Sequence, residues 1–130
     1  LIEILIVVAI LAIIAAIAFP SYQSQTQRTR RADCQAAMMQ ARQAMERYYT
    51  KRYTYVGASF GAGAGNVFTN QCPIDGGTPY YTLDVDNLTA TTFTITATAL
   101  AGQANDTCGD LSLDQAGTKG QDAGTVDECW

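Results

Sequence analysis

Every residue from 4 to 19 is apolar, on all sides of a helix rather than on one face. With Leu1 and Ile2 the segment reaches 19 residues, interrupted only by Glu3. That is close to the roughly 20 residues an α-helix needs to cross a bilayer. A secretory signal fits poorly, because its flank is basic and a small-residue cleavage site follows it. After Pro20 the chain turns polar through Arg31, and residues 32–52 are rich in helix formers. There Cys34, Met38, Ala41, Met45 and Tyr48 recur at steps of four and three, one apolar stripe of an amphipathic helix. The pattern predicts a single helix over about 1–52, kinked or locally melted near Pro20, where one backbone donor is missing. Some 50 residues at about 1.5 Å each give a rod of roughly 75 Å.

The helical period ends at Tyr53. Residues 53–78, with Gly57-Ala58-Ser59-Phe60-Gly61-Ala62-Gly63-Ala64-Gly65, read as a connecting loop. A glycine-rich run cradles phosphate between a strand and a helix with Gly-Lys-Ser/Thr following, and neither condition holds. Alternation then takes over. Tyr81, Leu83 and Val85 share one face, as do Phe93, Ile95, Ala97 and Ala99, with a shorter strand at Leu111 and Leu113. Residues 79–114 read as an antiparallel meander with one buried face, which the helical stripe covers. The fold class is α+β, a long N-terminal helix packed on a small antiparallel sheet.

Charge is segregated along this plan. Residues 28–52 hold seven bases against Asp33 and Glu46, 7 − 2 = +5, and residues 53–130 hold Lys119 against nine acids, 1 − 9 = −8. An acidic head speaks against an ordinary nucleic-acid-binding domain. There is no histidine, which removes the commonest general base and metal ligand. Four cysteines without a CxxC pair read as two disulfides in an oxidising compartment, with three connectivities open. Glu3 inside an apolar segment costs about 2.5–3.5 kcal/mol in the hydrocarbon, so it is either functional or at the membrane surface.

Other groupings have plainer readings. Asp84, Asp86, Asn87, Asp106 and Asp110 lack the spacing of a calcium loop and read as turn acids. Arg28, Arg30 and Arg31 suit lipid headgroups or the acidic heads of other copies, the second being preferred. Tyr48, Tyr49, Tyr53, Tyr55, Tyr80 and Tyr81 offer a base-stacking platform or, more simply, packing at the helix–sheet junction. Asn87-Leu88-Thr89 and Asn105-Asp106-Thr107 match a glycosylation sequon and carry little weight in a bacterial chain. No residues are assigned to catalysis, a cofactor or a metal.

Residues 1–11, Leu-Ile-Glu-Ile-Leu-Ile-Val-Val-Ala-Ile-Leu, followed by Pro20, resemble the N-terminus of type IV pilins, which pseudopilins of type II secretion share. Cys108-Gly109-Asp110-Leu111-Ser112-Leu113-Asp114, then Gly117-Thr118-Lys119-Gly120 and Cys129-Trp130, resemble the disulfide-bounded C-terminal loop of a pilin subclass. The resemblance covers both ends, not residues 57–70, and this chain lacks the glycine that many pilins carry within the apolar run.

It implies a filament subunit, with residues 1–24 as membrane or filament-core helix half and 25–130 as globular head. Within the head, 25–52 is the amphipathic helix half, 53–78 the loop, 79–114 the sheet and 108–129 the disulfide-bounded loop. It implies a leader cut by a prepilin peptidase and a methylated N-terminus about two residues before Leu1. Glu3 then meets the N-terminal amine of a neighbouring subunit, Pro20 loosens the helix on assembly, and Ile4, Leu5, Val8, Leu11, Ile14 and Phe19 pack the core. The implied pairing is Cys108–Cys129, leaving Cys34–Cys72, the shorter loop being worth about 3 kcal/mol. Implied partners are further copies in a helical filament, other pilins, the assembly machinery and the inner membrane. The alternatives are a pseudopilin, whose melting depends on calcium, and a pilin specialised for adhesion or DNA uptake, with Lys119 the residue to test.

Overall fold

The structure, a computed structural model, describes all 130 residues. Helix α1 spans Ile2–Arg52, a rod of 51 residues that runs through Pro20 without a break. Local melting near Pro20 is therefore not a property of the free chain. Proline removes one donor, and the i→i−4 ladder on either side holds the rod. The helix ends at Tyr53, whose left-handed φ of 58° lets its N–H reach the Tyr49 carbonyl at 2.7 Å. Lys51 and Arg52 in the last turn suit the negative end of the helix dipole.

Five strands follow, β1 (Gln71–Cys72), β2 (Tyr81–Asp86), β3 (Thr94–Ala99), β4 (Leu111–Asp114) and β5 (Lys119–Gln121), then a short helix α2 (Val126–Cys129). They form one sheet in sequence order, every pair antiparallel. The sheet thus reaches beyond residues 79–114 on both sides. β1 lies in the connecting loop and β5 in the C-terminal loop. Strands of two and three residues are too short to show alternation, so the pattern missed both. At Gly120 of β5 a Cβ would fall 2.4 Å from Ser112 Oγ of β4, so a larger residue there would push the serine hydroxyl aside.

One hydrophobic core joins the layers. Cys34, Met38, Ala41 and Met45 of α1 are fully buried, with Ala37 and Ala44 beside them. They meet Tyr81, Leu83, Phe93, Ile95, Ala97, Leu111 and Leu113 from the inner face of the sheet. Tyr55 extends this layer, its ring 4.8 Å from Tyr49 and 4.7 Å from Phe93. Of the six tyrosines around the helix–sheet junction, Tyr48, Tyr49, Tyr55, Tyr80 and Tyr81 pack in or against the core, and Tyr53 stands free at 80% exposure. Cys34–Cys72 ties the middle of α1 to the first strand, and Cys108–Cys129 ties the approach to β4 to α2.

Burial raises the hydroxyl of Tyr81 to about pH 12, as it does those of Tyr55 and Tyr80, which also bond to Glu46 and Asp33. A raised folded pKa means that stability is complete below pH 10 and lost as the pH climbs toward 12. For Tyr81 two pKa units amount to about 3 kcal/mol. Alkaline unfolding followed by circular dichroism is expected to show this decline between pH 10 and 12, and Tyr81→Phe to make it shallower.

Candidate functional site

The lower half of α1 touches nothing else in the chain. Residues 1–25 are all exposed, and the first partly covered positions are Thr26 and Gln27. Ile4, Leu5, Val8, Leu11, Ile14 and Phe19 are 57–68% exposed. The helix contains a window of mean hydropathy 3.1, long and apolar enough to cross a membrane. Leaving a Leu or Ile side chain in water rather than burying it costs about 1.5–3 kcal/mol, so a dozen such side chains demand an apolar partner.

Glu3 sits in the first helical turn, where the unbonded backbone N–H groups favour an anion. Its carboxylate meets no hydrogen-bond or ionic partner within the chain, whose single ion pair is Arg31–Asp106. The site therefore consists of one unmatched charge set in a long unmatched apolar surface.

Above it lies a polar joint that the sequence did not disclose. The side chain of Arg31 pairs with Asp106, both nearly buried at 8% and 3% exposure. The Tyr81 hydroxyl donates to the same carboxylate at 3.3 Å. Gln103, fully buried, donates its amide to the Gln27 carbonyl at 2.8 Å. Asp106 is thus no solvated turn acid. Nor do the three arginines act as one outward cluster. A helix turns about 100° per residue, so Arg31 faces the head's own acid while Arg30 lies over the Tyr80 ring at 5.4 Å. Arg28 alone keeps its charge in solvent. No periodicity marks Gln103, which sits among Ala, Gly and Asn in an irregular loop.

Lys119 projects from the last strand, its ammonium 5.5 Å from the Trp130 ring, while the indole N–H donates to the Gly120 carbonyl at 3.0 Å. Around it residues 109–128 carry Asp110, Asp114, Asp122, Asp127 and Glu128, so the loop nets 1 − 5 = −4. Asp114 stays ionised to lower pH than usual, because the backbone N–H groups of Thr118 and Ala116 donate to it at 2.8 and 2.9 Å. Asp110 accepts the Ala99 N–H at 2.8 Å, and Asp86 lies 3.4 Å from the Thr96 hydroxyl.

A family model described as "Type IV minor pilin ComP, DNA uptake sequence receptor" matches residues 20–112. Among solved structures the chain is similar to a type IV pilin from Shewanella oneidensis, with a TM-score of 0.58 and 26% identity over 80% of this chain and 97% of that one. It is also similar in fold to the Neisseria meningitidis non-core minor pilin PilV, with a TM-score of 0.57 and 20% identity over 82% of this chain and 95% of that one. No curated protein matches.

Since the uncovered apolar surface ends at Phe19, a chain beginning at Gln25 is expected to be soluble, folded and monomeric. Size-exclusion chromatography with light scattering checks this. Aggregation would reveal a large apolar patch on the head itself.

Proposed function

This chain belongs to the family of the type IV minor pilin ComP, DNA uptake sequence receptor, and from that premise we propose that it is a structural subunit of a type IV pilus filament. One observation carries the reading: a single 51-residue helix is the spine of a folded head over its upper half and wholly uncovered over its lower half. Two environments satisfy such a surface, hydrocarbon and the equivalent helices of neighbouring subunits. In this reading the same segment holds the subunit in the inner membrane before assembly and packs the filament core afterwards. Fold and family are structural, and we assign no catalytic role.

Within this reading residues 1–24 form the core half and 25–130 the outward head. Glu3 is the assembly residue and Pro20 the point where the rod yields on packing. A carboxylate and an N-terminal ammonium each cost energy in an apolar core, and pairing them offsets much of it. Only one axial offset between subunits brings the two together, so the pair sets register as well as energy. Leaving one charge of a buried pair unmatched costs about 3–5 kcal/mol. Both Glu3→Ala and Glu3→Gln are therefore expected to cut filament yield by more than about tenfold at equal membrane abundance. Assembly of Glu3→Gln at the unsubstituted level, in sheared filament fractions, would remove the charge-pair role.

A second reading, DNA capture, is favoured by the description of the matching family. Lys119 is its nearest residue in the C-terminal loop, although it lies outside the matched residues and within a loop of charge −4 that repels phosphate. Lys119→Glu is expected to leave filament yield unchanged. A more than threefold loss of salt-sensitive DNA retention by the Gln25–Trp130 head would raise DNA capture to the leading role of this loop.

A further inference from the structure

We propose that the polar joint between α1 and residues 100–110 is a clamp that fixes where the long helix is free to bend. Residues 20–26 form a hinge, and Gln27 is its fixed upper end.

The hinge is softened in three ways. Pro20 brings no N–H to the Ala16 carbonyl. Thr26 Oγ1 donates to the Tyr22 carbonyl at 2.9 Å and Thr29 Oγ1 to the Gln25 carbonyl at 3.0 Å. Hydroxyls bonded four residues back compete with the backbone ladder and bend helices. Residues 20–25 also have no tertiary cover, so nothing outside the helix restrains them.

One turn higher the restraint is dense. Gln103 holds the Gln27 carbonyl, and Asp106 of the same loop holds Arg31, four residues further along the rod. The clamp is itself braced. The Gln103 N–H reaches the Leu100 carbonyl at 2.7 Å, and the Asp106 N–H reaches the Gln103 carbonyl at 3.0 Å. Tyr81, fully buried in β2, adds its hydroxyl to Asp106, and Cys108 anchors the far end of the loop by a disulfide. Freeing Arg31 or Asp106 would strand a desolvated charge, so the contact resists opening. Bending or unwinding in the lower helix thus stops at Gln27 and does not reach Cys34 and Met38 in the core. A head built this way tilts as a rigid unit on its rod. The clamp does not depend on the filament reading, since all its partners lie within one chain.

Hydrogen–deuterium exchange on the full chain in detergent micelles tests it. Amides of residues 22–26 are expected to exchange at least about tenfold faster than those of 30–34. In Gln103→Ala the fast zone is expected to advance from Gln27 to Arg31, with exchange at 27–30 raised at least about fivefold, and in Asp106→Asn to pass Arg31, with the amides of β3 and β4 unchanged in both. Pro20→Ala is expected to slow the hinge without moving its upper end. Equal exchange above and below Gln27 in the unsubstituted chain would overturn the proposal. So would a boundary that stays in place in Gln103→Ala. Should Asp106→Asn unfold the head, Gln103→Ala decides alone, because it removes a hydrogen bond and no charge.

Discussion

An α-helix that is apolar on every side has no stable state in water. Its backbone is internally bonded, so nothing prevents it from entering hydrocarbon, and its side chains gain by leaving solvent. Residues 4–19 impose this condition, and the other parts of the molecule are arranged around it. The head has to be a folded, polar unit that stays clear of the apolar rod. It also has to be stable with a small core, because the lower half of the helix contributes nothing to it.

The head meets that demand with staples and buried polar contacts. Two disulfides close the margins of the sheet, one joining α1 to β1 and the other joining the lead-in of β4 to α2. Small side chains at Ala37, Ala41 and Ala44 and the flexible Met38 and Met45 form the buried face of the helix, in one core with Leu83, Ile95 and Leu113 of the sheet. At the lower margin, where the helix leaves the head, no apolar contact is possible without extending the uncovered surface. There the structure uses Arg31, Asp106, Tyr81 and Gln103. Rod and head thus meet through polar groups bonded to each other, Gln103 through its amide N–H alone, its carbonyl oxygen being buried without a partner, and the transition from head to free helix is abrupt.

Charge follows the same division. The helix above the apolar run is basic and the rest of the head acidic, yet only one ion pair forms within the chain. The remaining cations stand in solvent, lie over aromatic rings or bond to carbonyls, as Arg42 does to Gln115. Such a head leaves its unmatched charges open to water and to partners.

Much of the fold was legible because it rests on periodicity. The steps of four and three from Cys34 to Tyr48, and the alternation of Tyr81, Leu83, Val85 and of Phe93, Ile95, Ala97, are set by which face must leave water, which is a property of order along the chain. The uncovered surface of residues 1–19 and the lone charge of Glu3 are likewise properties of sequence, since no tertiary contact alters them. Two- and three-residue strands such as β1 and β5 have no period to read, and they exist because neighbouring strands offer them bonds. The joint is the extreme case. Gln27, Arg31, Tyr81, Gln103 and Asp106 are scattered over 80 positions, and nothing local distinguishes Asp106 from a turn acid or Arg31 from its exposed neighbour Arg28. Sequence determined that this chain is an apolar rod bearing a stapled α+β head. Only the tertiary structure decided which charge is buried and where the rod is held, because a buried polar contact depends on partners that chain order does not bring together.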